Sequence, residues 1–136
     1  MARSLIFVIV VILTGSIAKA ESMKRIRFTI GKNSAIAVLY NTQAAREFAA
    51  QLPLTLTFKD FASKEKIAYP PRKLSGKSKQ NSEGDFAYYA PWGNIAVFYK
   101  EEASATADLL ILGQFESGKE FFHVGGSFEV KIEALE

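Results

Sequence analysis

The sequence predicts a mainly β protein, in which short antiparallel strands form a barrel or a sandwich with one main α-helix. Several short segments alternate apolar and polar residues, which is the period of half-buried strands, and turn-forming residues separate them. Only residues 41–52 repeat apolar side chains at helical spacing. The segments predict about seven or eight strands. If these strands close into a barrel, the sheet has no exposed edges.

The N-terminal segment predicts a secretory signal peptide. A short basic start precedes an unbroken apolar run from Leu5 to Leu13, and Ala18-Lys19-Ala20 has the small-x-small pattern of a cleavage site. A membrane anchor is the less favoured alternative, because the run is shorter than the roughly 20 residues that span a bilayer. We therefore expect cleavage after Ala20, and residues 21–136 to be one exported domain that is periplasmic or secreted.

Composition excludes several classes of function. Loss of Arg3 and Lys19 with the signal peptide leaves 15 of 17 basic residues against 14 acidic ones, so net charge gives no argument for nucleic acid binding. The chain contains no cysteine, so neither a lipoprotein anchor nor a disulfide is expected. With His123 as the single histidine, a zinc site lacks ligands. We expect no metal and no cofactor.

The first half of the mature chain predicts a hairpin, a helix and a third strand. Residues 24–30 and 35–40 alternate as strands on either side of a turn-forming loop. Asn41 or Thr42 can cap the helix, and Pro53 ends it. The apolar stripe of this helix should lie over the interior of the sheet, and residues 54–58 then alternate as the next strand.

The pattern weakens between residues 59 and 83. Residues 67–69 suit a short strand, and Pro70-Pro71 excludes both a helix and a central strand. Residues 72–83 are polar and rich in Gly, Ser and Lys, which predicts an exposed and mobile loop. The lysines of this loop suit a solvated surface better than a phosphate site.

An aromatic hairpin from Gly84 to Tyr99 is the stretch on which the rest should pack. Its strands alternate on either side of the turn Pro-Trp-Gly-Asn, and their inward side chains should fill the interior. Trp92 lies in the turn, where side chains tend to stay at the rim. This position suggests a groove for a peptide, a proline ring or a flat cofactor, with packing of Trp92 against the loop as the alternative. The residues of this predicted ligand groove are Tyr69, Arg72, Phe86, Tyr89 and Trp92.

The C-terminal part predicts two further strands. Leu109 to Phe115 forms a buried strand, residues 120–124 suit a helical turn or a short strand, and residues 128–132 alternate as the closing strand. We expect His123 to be partly exposed beside Phe122, without the nucleophile that a general base requires.

These features, in this order, resemble a bacterial family of small cyclophilin-like proteins. The resemblance is carried by the following segments: LYNTQAAREFAAQLPLTLTFKDF (39–61), EKIAYPPRKL (65–74), GDFAYYAPWGNIAVFY (84–99), LLILGQFESG (109–118) and the last strand. It implies a closed antiparallel barrel of eight strands with a helix over an open end. Members of this family mostly lack an assigned activity, and some occur with flavodoxin-like domains.

The resemblance does not carry prolyl isomerase activity with it. The isomerases place an arginine directly after a Phe-His pair on an early strand, whereas here Phe122-His123 is followed by Val124 near the C-terminus. Gly84-Asp85-Phe86 is similar to a segment near the proline pocket. We therefore expect a non-catalytic module that binds a peptide or a small molecule. The alternatives are a divergent peptidyl-prolyl isomerase and, more weakly, an accessory to a flavodoxin-like redox partner. The sequence indicates no oligomeric state.

Overall fold

The computed structural model describes residues 23–135, so the predicted signal peptide and its cleavage site at Ala20 lie outside the described part. Ten strands, one α-helix and one 3-10 turn follow each other along the chain. Their bounds are β1 Arg25–Ile30, β2 Asn33–Leu39, α1 Gln43–Ala49, β3 Leu54–Phe61, β4 Glu65–Ala68, β5 Glu83–Gly84, β6 Phe86–Tyr89, β7 Asn94–Phe98, β8 Ala103–Ser104, β9 Leu109–Ser117, the 3-10 turn Lys119–Phe122 and β10 Phe128–Ala134.

Eight of these strands form a closed antiparallel barrel, which confirms the barrel and decides against the sandwich. The order around the barrel is β1-β10-β3-β4-β7-β6-β9-β2, and β2 pairs with β1 to close it. The predicted hairpins β1-β2 and β6-β7 both form. The remaining strands, β5 and β8, pair with each other as a small separate ribbon.

The barrel interior is filled by side chains. Six phenylalanine rings meet there with centroids 5.1 to 6.2 Å apart, mostly edge to face, which is the favourable geometry for aromatic pairs. They belong to Phe28, Phe48, Phe58, Phe86, Phe115 and Phe122. Because these rings come from four strands, the helix and the 3-10 turn and pack against one another, the interior holds the fold together.

The helix packs on one end of this interior, as the apolar stripe predicts. Thr42 is its N-cap, with the hydroxyl accepting a 3.2 Å hydrogen bond from the Ala45 amide, and Phe48 is fully buried against Phe86. The helix ends at Ala49, three residues before the predicted limit at Leu52. Among residues 23–135, no helix is long and apolar enough to cross a membrane.

The loop expected to be simply exposed is in part anchored to the barrel. Leu74 is buried, and its amide donates a 3.1 Å hydrogen bond to the Tyr88 hydroxyl. Glu47 of the helix accepts bonds from both the amide and the hydroxyl of Ser75. These contacts hold residues 72–75 against the helix end of the barrel, where the turn with Trp92 also lies.

Candidate functional site

The five predicted groove residues do not form one groove, because Phe86 faces the other side of the wall. Phe86 is fully buried, and its ring contacts Phe28 and Phe48 inside the barrel. The alternation of β6 explains the separation: Phe86 points inward, whereas Tyr89, three residues later, points outward. The assignment of Phe86 to a ligand groove was therefore wrong.

Trp92 lies across the outer wall of the barrel. Its ring centroid is 5.5 Å from that of Tyr89 on β6 and 5.3 Å from that of Phe61 on β3, in both cases edge to face. Strands β4 and β7 separate β3 from β6 in the barrel. The indole must therefore cover β4 and β7 from outside, and it remains 53% exposed.

The residues beneath the indole are buried although they face outward. Ile67, Ala96 and Ala87 are register partners on β4, β7 and β6, and each is at most 2% exposed. None belongs to the cluster of side chains inside the barrel. The two alanines leave room for a ring above them, so this row is the floor on which Trp92 packs.

Four aromatic side chains together form what we call the outer aromatic surface: Phe61, Tyr69, Tyr89 and Trp92. Tyr69 directly follows β4 at the helix end of the barrel and is 49% exposed, and Phe61 is 40% exposed. Trp92, Tyr69 and Phe61 are three of the five large hydrophobic side chains exposed in residues 23–135. Their concentration on one face distinguishes this surface from scattered exposed side chains.

Arg72 lies at the edge of this surface and is held by its backbone. Its amide donates to the Gln51 side-chain oxygen at 3.0 Å, and its carbonyl accepts from the Gln51 amide group at 2.9 Å. The side chain is exposed. Tyr69 follows β4 and Tyr89 ends β6 at the helix end of the wall, Trp92 packs on Tyr89, and Arg72 follows Tyr69 by three residues.

Sequence reasoning missed Phe61 and Lys59. The predicted third strand stopped at Phe58, whereas β3 continues to Phe61. Extending the alternation by three residues would have placed both Lys59 and Phe61 on the outer side. Lys59 brings a positive charge to the outer aromatic surface, because its Nζ lies 5.8 Å from the centroid of the Tyr69 ring.

Asn94 lies beside these rings with one polar atom unsatisfied. It opens β7 as the register partner of Tyr89, and it is 1% exposed. Its amide nitrogen donates a long 3.3 Å bond to the Ile95 carbonyl, and its Oδ1 has no hydrogen-bond partner within residues 23–135. Such an atom carries the desolvation cost without a compensating bond.

A carboxylate lies at the opposite edge of the surface. Glu65 is the register partner of Phe61 on β3 and of Phe98 on β7, and burial among these strands raises the pKa of its carboxyl group. The Glu65 carboxylate itself forms no hydrogen bond or ion pair within residues 23–135. It places an acidic group at the Phe61 end of the outer aromatic surface, whereas Lys59 lies at the Tyr69 end.

The barrel end away from the helix contains a separate polar cluster. Lys66, whose side chain is 1% exposed, lies 3.3 Å from the Asp60 carboxylate and donates to the Gly126 carbonyl at 3.0 Å. The Tyr99 hydroxyl donates to the same carboxylate at 2.7 Å, and the exposed His123 stacks on the Tyr99 ring. Burial, together with the Asp60 carboxylate, raises the pKa of Tyr99 to about 12. This cluster satisfies its own charges and offers no open position.

Other features give weaker sites. A cleft of about 470 Å³ is lined by residues 76–78, 80 and 105–107, and it contains none of the predicted groove residues. Within residues 23–135, no three His, Cys, Asp or Glu side chains are grouped so that they could hold a metal ion. The outer aromatic surface is therefore the best candidate site in the described chain.

The fold is a small closed-barrel domain with an exposed aromatic surface on its outer wall. The model of the cyclophilin-like family matches residues 28–133, and the chain belongs to this family. The chain is also similar to a hypothetical protein from Archaeoglobus fulgidus, whose structure was determined in solution. The two share 19% sequence identity with a TM-score of 0.62, and the match covers 82% of this chain and 95% of that chain. This similarity concerns the fold. No curated protein matches the sequence.

Proposed function

We propose that this protein is an exported, non-catalytic binding module that takes a peptide or a small molecule on its outer aromatic surface. The observation that carries the proposal is the position of Trp92, which is held by Tyr89 and Phe61 and yet is 53% exposed. Rings fixed by their neighbours lose little conformational entropy when a ligand packs on them, which favours binding.

The geometry supports binding rather than catalysis. The phenylalanine-filled interior leaves the outer wall as the place for a ligand, and the charged groups near Trp92 do not form an acid-base pair there. Phe122, which precedes the single histidine, is fully buried in the barrel. In an assay of prolyl-peptide isomerisation we expect a rate equal to the uncatalysed one, and faster turnover would favour the divergent isomerase.

Peptide binding is tested by selection from a random peptide library on the purified protein. Selected peptides are labelled, and their affinities are measured by fluorescence anisotropy for the wild type and for Trp92→Ala. We expect the substitution to weaken binding at least about tenfold, since exposed aromatic side chains dominate such interfaces. The matched control is Met23→Ala, which removes another exposed large side chain. Equal affinities for the wild type and Trp92→Ala would contradict the proposal.

A redox-accessory role has a direct test of its own. Trp92 is the only tryptophan in the sequence, so its emission reports on any flat ligand that packs against it. We expect a titration with free flavin to leave this emission unchanged. Saturable quenching by flavin would favour the redox accessory over the peptide-binding module.

Export is the remaining part of the proposal. It is supported by the apolar run from Leu5 to Leu13 and by the cleavage pattern that ends at Ala20. Mass spectrometry of the protein secreted by a bacterial host should give a chain that begins at Glu21. Recovery of the uncleaved chain from the cytoplasm would contradict export and leave the binding proposal untouched.

A further inference from the structure

We infer that the outer aromatic surface recognises an acidic peptide segment that carries one apolar side chain. This inference rests on the proposed binding function and adds the chemical class of the ligand. It derives from three basic residues that border the surface at its Tyr69 end, namely Lys59, Arg72 and Lys73.

The positions of these basic residues follow from their contacts. Lys59 Nζ lies 5.8 Å from the centroid of the Tyr69 ring. Two side-chain carbons of Lys73 lie 3.8 and 3.9 Å from the place where a Cβ on Gly93 would be, directly after Trp92. Arg72 precedes Lys73 and has its backbone fixed by Gln51. All three side chains are exposed.

No carboxylate compensates these charges. Some basic side chains elsewhere on the barrel are paired with acidic ones, as in Arg25 with Glu116, Arg27 with Glu133 and Lys119 with Asp85. Other exposed lysines also lack an ion pair, so it is the position of Lys59, Arg72 and Lys73 beside the outer aromatic surface that sets these three apart. Lys59, Arg72 and Lys73 form no ion pair with any residue from 23 to 135. Their positive potential is therefore available to an incoming ligand.

Glu65 gives the surface a direction. Its carboxylate lies next to Phe61, four residues before Tyr69 on the same face of the wall, and the exposed Lys64 directly precedes it. The excess of positive charge is therefore greatest at the Tyr69 end, where Lys59, Arg72 and Lys73 lie. The acidic residues of the ligand should lie toward that end of its apolar anchor.

A peptide fits these observations better than a nucleic acid. The exposed rings of Phe61, Tyr69 and Trp92 favour an apolar partner over much of the contact area, and the carboxylate of Glu65 opposes a continuous row of phosphates. A peptide can combine acidic and apolar side chains in one short segment, whereas a nucleic acid carries a phosphate at every nucleotide.

The test uses three synthetic peptides of equal length, each with a central phenylalanine flanked by glutamate, glutamine or lysine, together with an oligothymidylate. Binding is followed by anisotropy and by the emission of Trp92. At low salt we expect the glutamate peptide to bind at least about tenfold more tightly than the glutamine peptide. Added salt should reduce this difference, because it screens exposed charges.

Charge-removing variants locate the effect. The triple variant Lys59→Gln, Arg72→Gln and Lys73→Gln should bring the affinity for the glutamate peptide to that for the glutamine peptide. The affinity for the glutamine peptide itself should not change. The control makes the same change of net charge at other exposed positions, with Lys24→Gln, Lys32→Gln and Lys79→Gln, and should keep the preference.

The possible results separate this inference from the proposed function. Equal, salt-independent binding of the glutamate and glutamine peptides would overturn the inference and keep a peptide-binding surface. Tightest binding of the lysine peptide or of the oligothymidylate would overturn the acidic peptide as the ligand. Binding of none of these probes would overturn both the inference and peptide binding at this surface.

Discussion

The Tyr99 hydroxyl donates a 2.7 Å hydrogen bond to Asp60 Oδ1, the same oxygen that lies 3.3 Å from the Nζ of the buried Lys66. One carboxylate thus neutralises a lysine inside the barrel wall and also satisfies a tyrosine. Its side chain is 37% exposed, whereas that of Lys66 is 1% exposed. The interior charge therefore depends on a partner that water and protons can reach.

We expect acid to destabilise the protein through Asp60. The Tyr99 hydrogen bond and the Lys66 ammonium lower the pKa of Asp60 in the folded state. A lowered pKa adds stability above the ordinary value, near pH 4, and this stability is lost as the pH falls through the lowered pKa. Urea unfolding at pH 7, 4 and 3 should show this loss in the wild type, and Asp60→Asn should reduce it.

The control for the acid prediction is Asp108→Asn. Asp108 is exposed and its carboxylate has no hydrogen bond or ion pair in residues 23–135. This variant should retain the loss of stability at low pH. An acid dependence that is the same in Asp60→Asn as in the wild type would contradict the role of Asp60.

Truncation of Phe86 should destabilise the protein more than truncation of Trp92. Phe86→Ala should cost about 3–5 kcal/mol of unfolding free energy, because it leaves a cavity among the buried rings. Trp92→Ala should cost less, about 1–3 kcal/mol, since half of the side chain is already in water and only the other half is buried. Chemical denaturation measures both. A loss for Trp92→Ala as large as that for Phe86→Ala would mean that the indole is a structural element.

Gly113 should tolerate no side chain. A Cβ placed on Gly113 would lie 2.1 Å from the Val38 carbonyl oxygen on β2, and this backbone is held by its pairing with β9. We expect Gly113→Ala to cost about 2 kcal/mol or more in a thermal or urea unfolding experiment. Gly125→Ala is the control, because nothing lies within 4 Å of its Cβ position, and it should change stability by less than about 0.5 kcal/mol. Equal effects of the two substitutions would refute the close approach of β9 to β2.

Asn94 should be replaceable without loss of stability. Since its Oδ1 is buried without a partner in the described chain, Asn94→Leu should be neutral or stabilising by about 1 kcal/mol. Asn94→Asp places a charge in the same site and should destabilise by about 2 kcal/mol or more. Thermal unfolding compares the two. If Asn94→Leu proved clearly destabilising, the oxygen would have to be satisfied in solution.

Much of the fold could be predicted because its signals are local. Alternating apolar and polar residues around Phe28 and Val130 predicted strands β1 and β10. The position of Thr42 before the apolar stripe predicted the N-cap of the helix. The end of β3 was missed because Lys59 and Asp60, which lie on opposite faces of the strand, are both polar. The alternation of apolar and polar residues is therefore interrupted there.

Of the predicted groove residues, Tyr89 and Trp92 are in ring contact and Tyr69 is exposed. A ligand site at Tyr69, Arg72, Tyr89 and Trp92 stays a prediction. Phe86 was assigned to the wrong side of that wall, although its spacing from Tyr89 puts the two on opposite faces.

The sequence by itself determined which side chains of each strand face inward, because a strand alternates with a period of two and each segment carries its own pattern. Only the tertiary structure decided that Trp92 meets Phe61, a residue 31 positions earlier in the chain. That contact depends on the order β3-β4-β7-β6 around the barrel, and pairing between distant strands leaves no local pattern in the sequence.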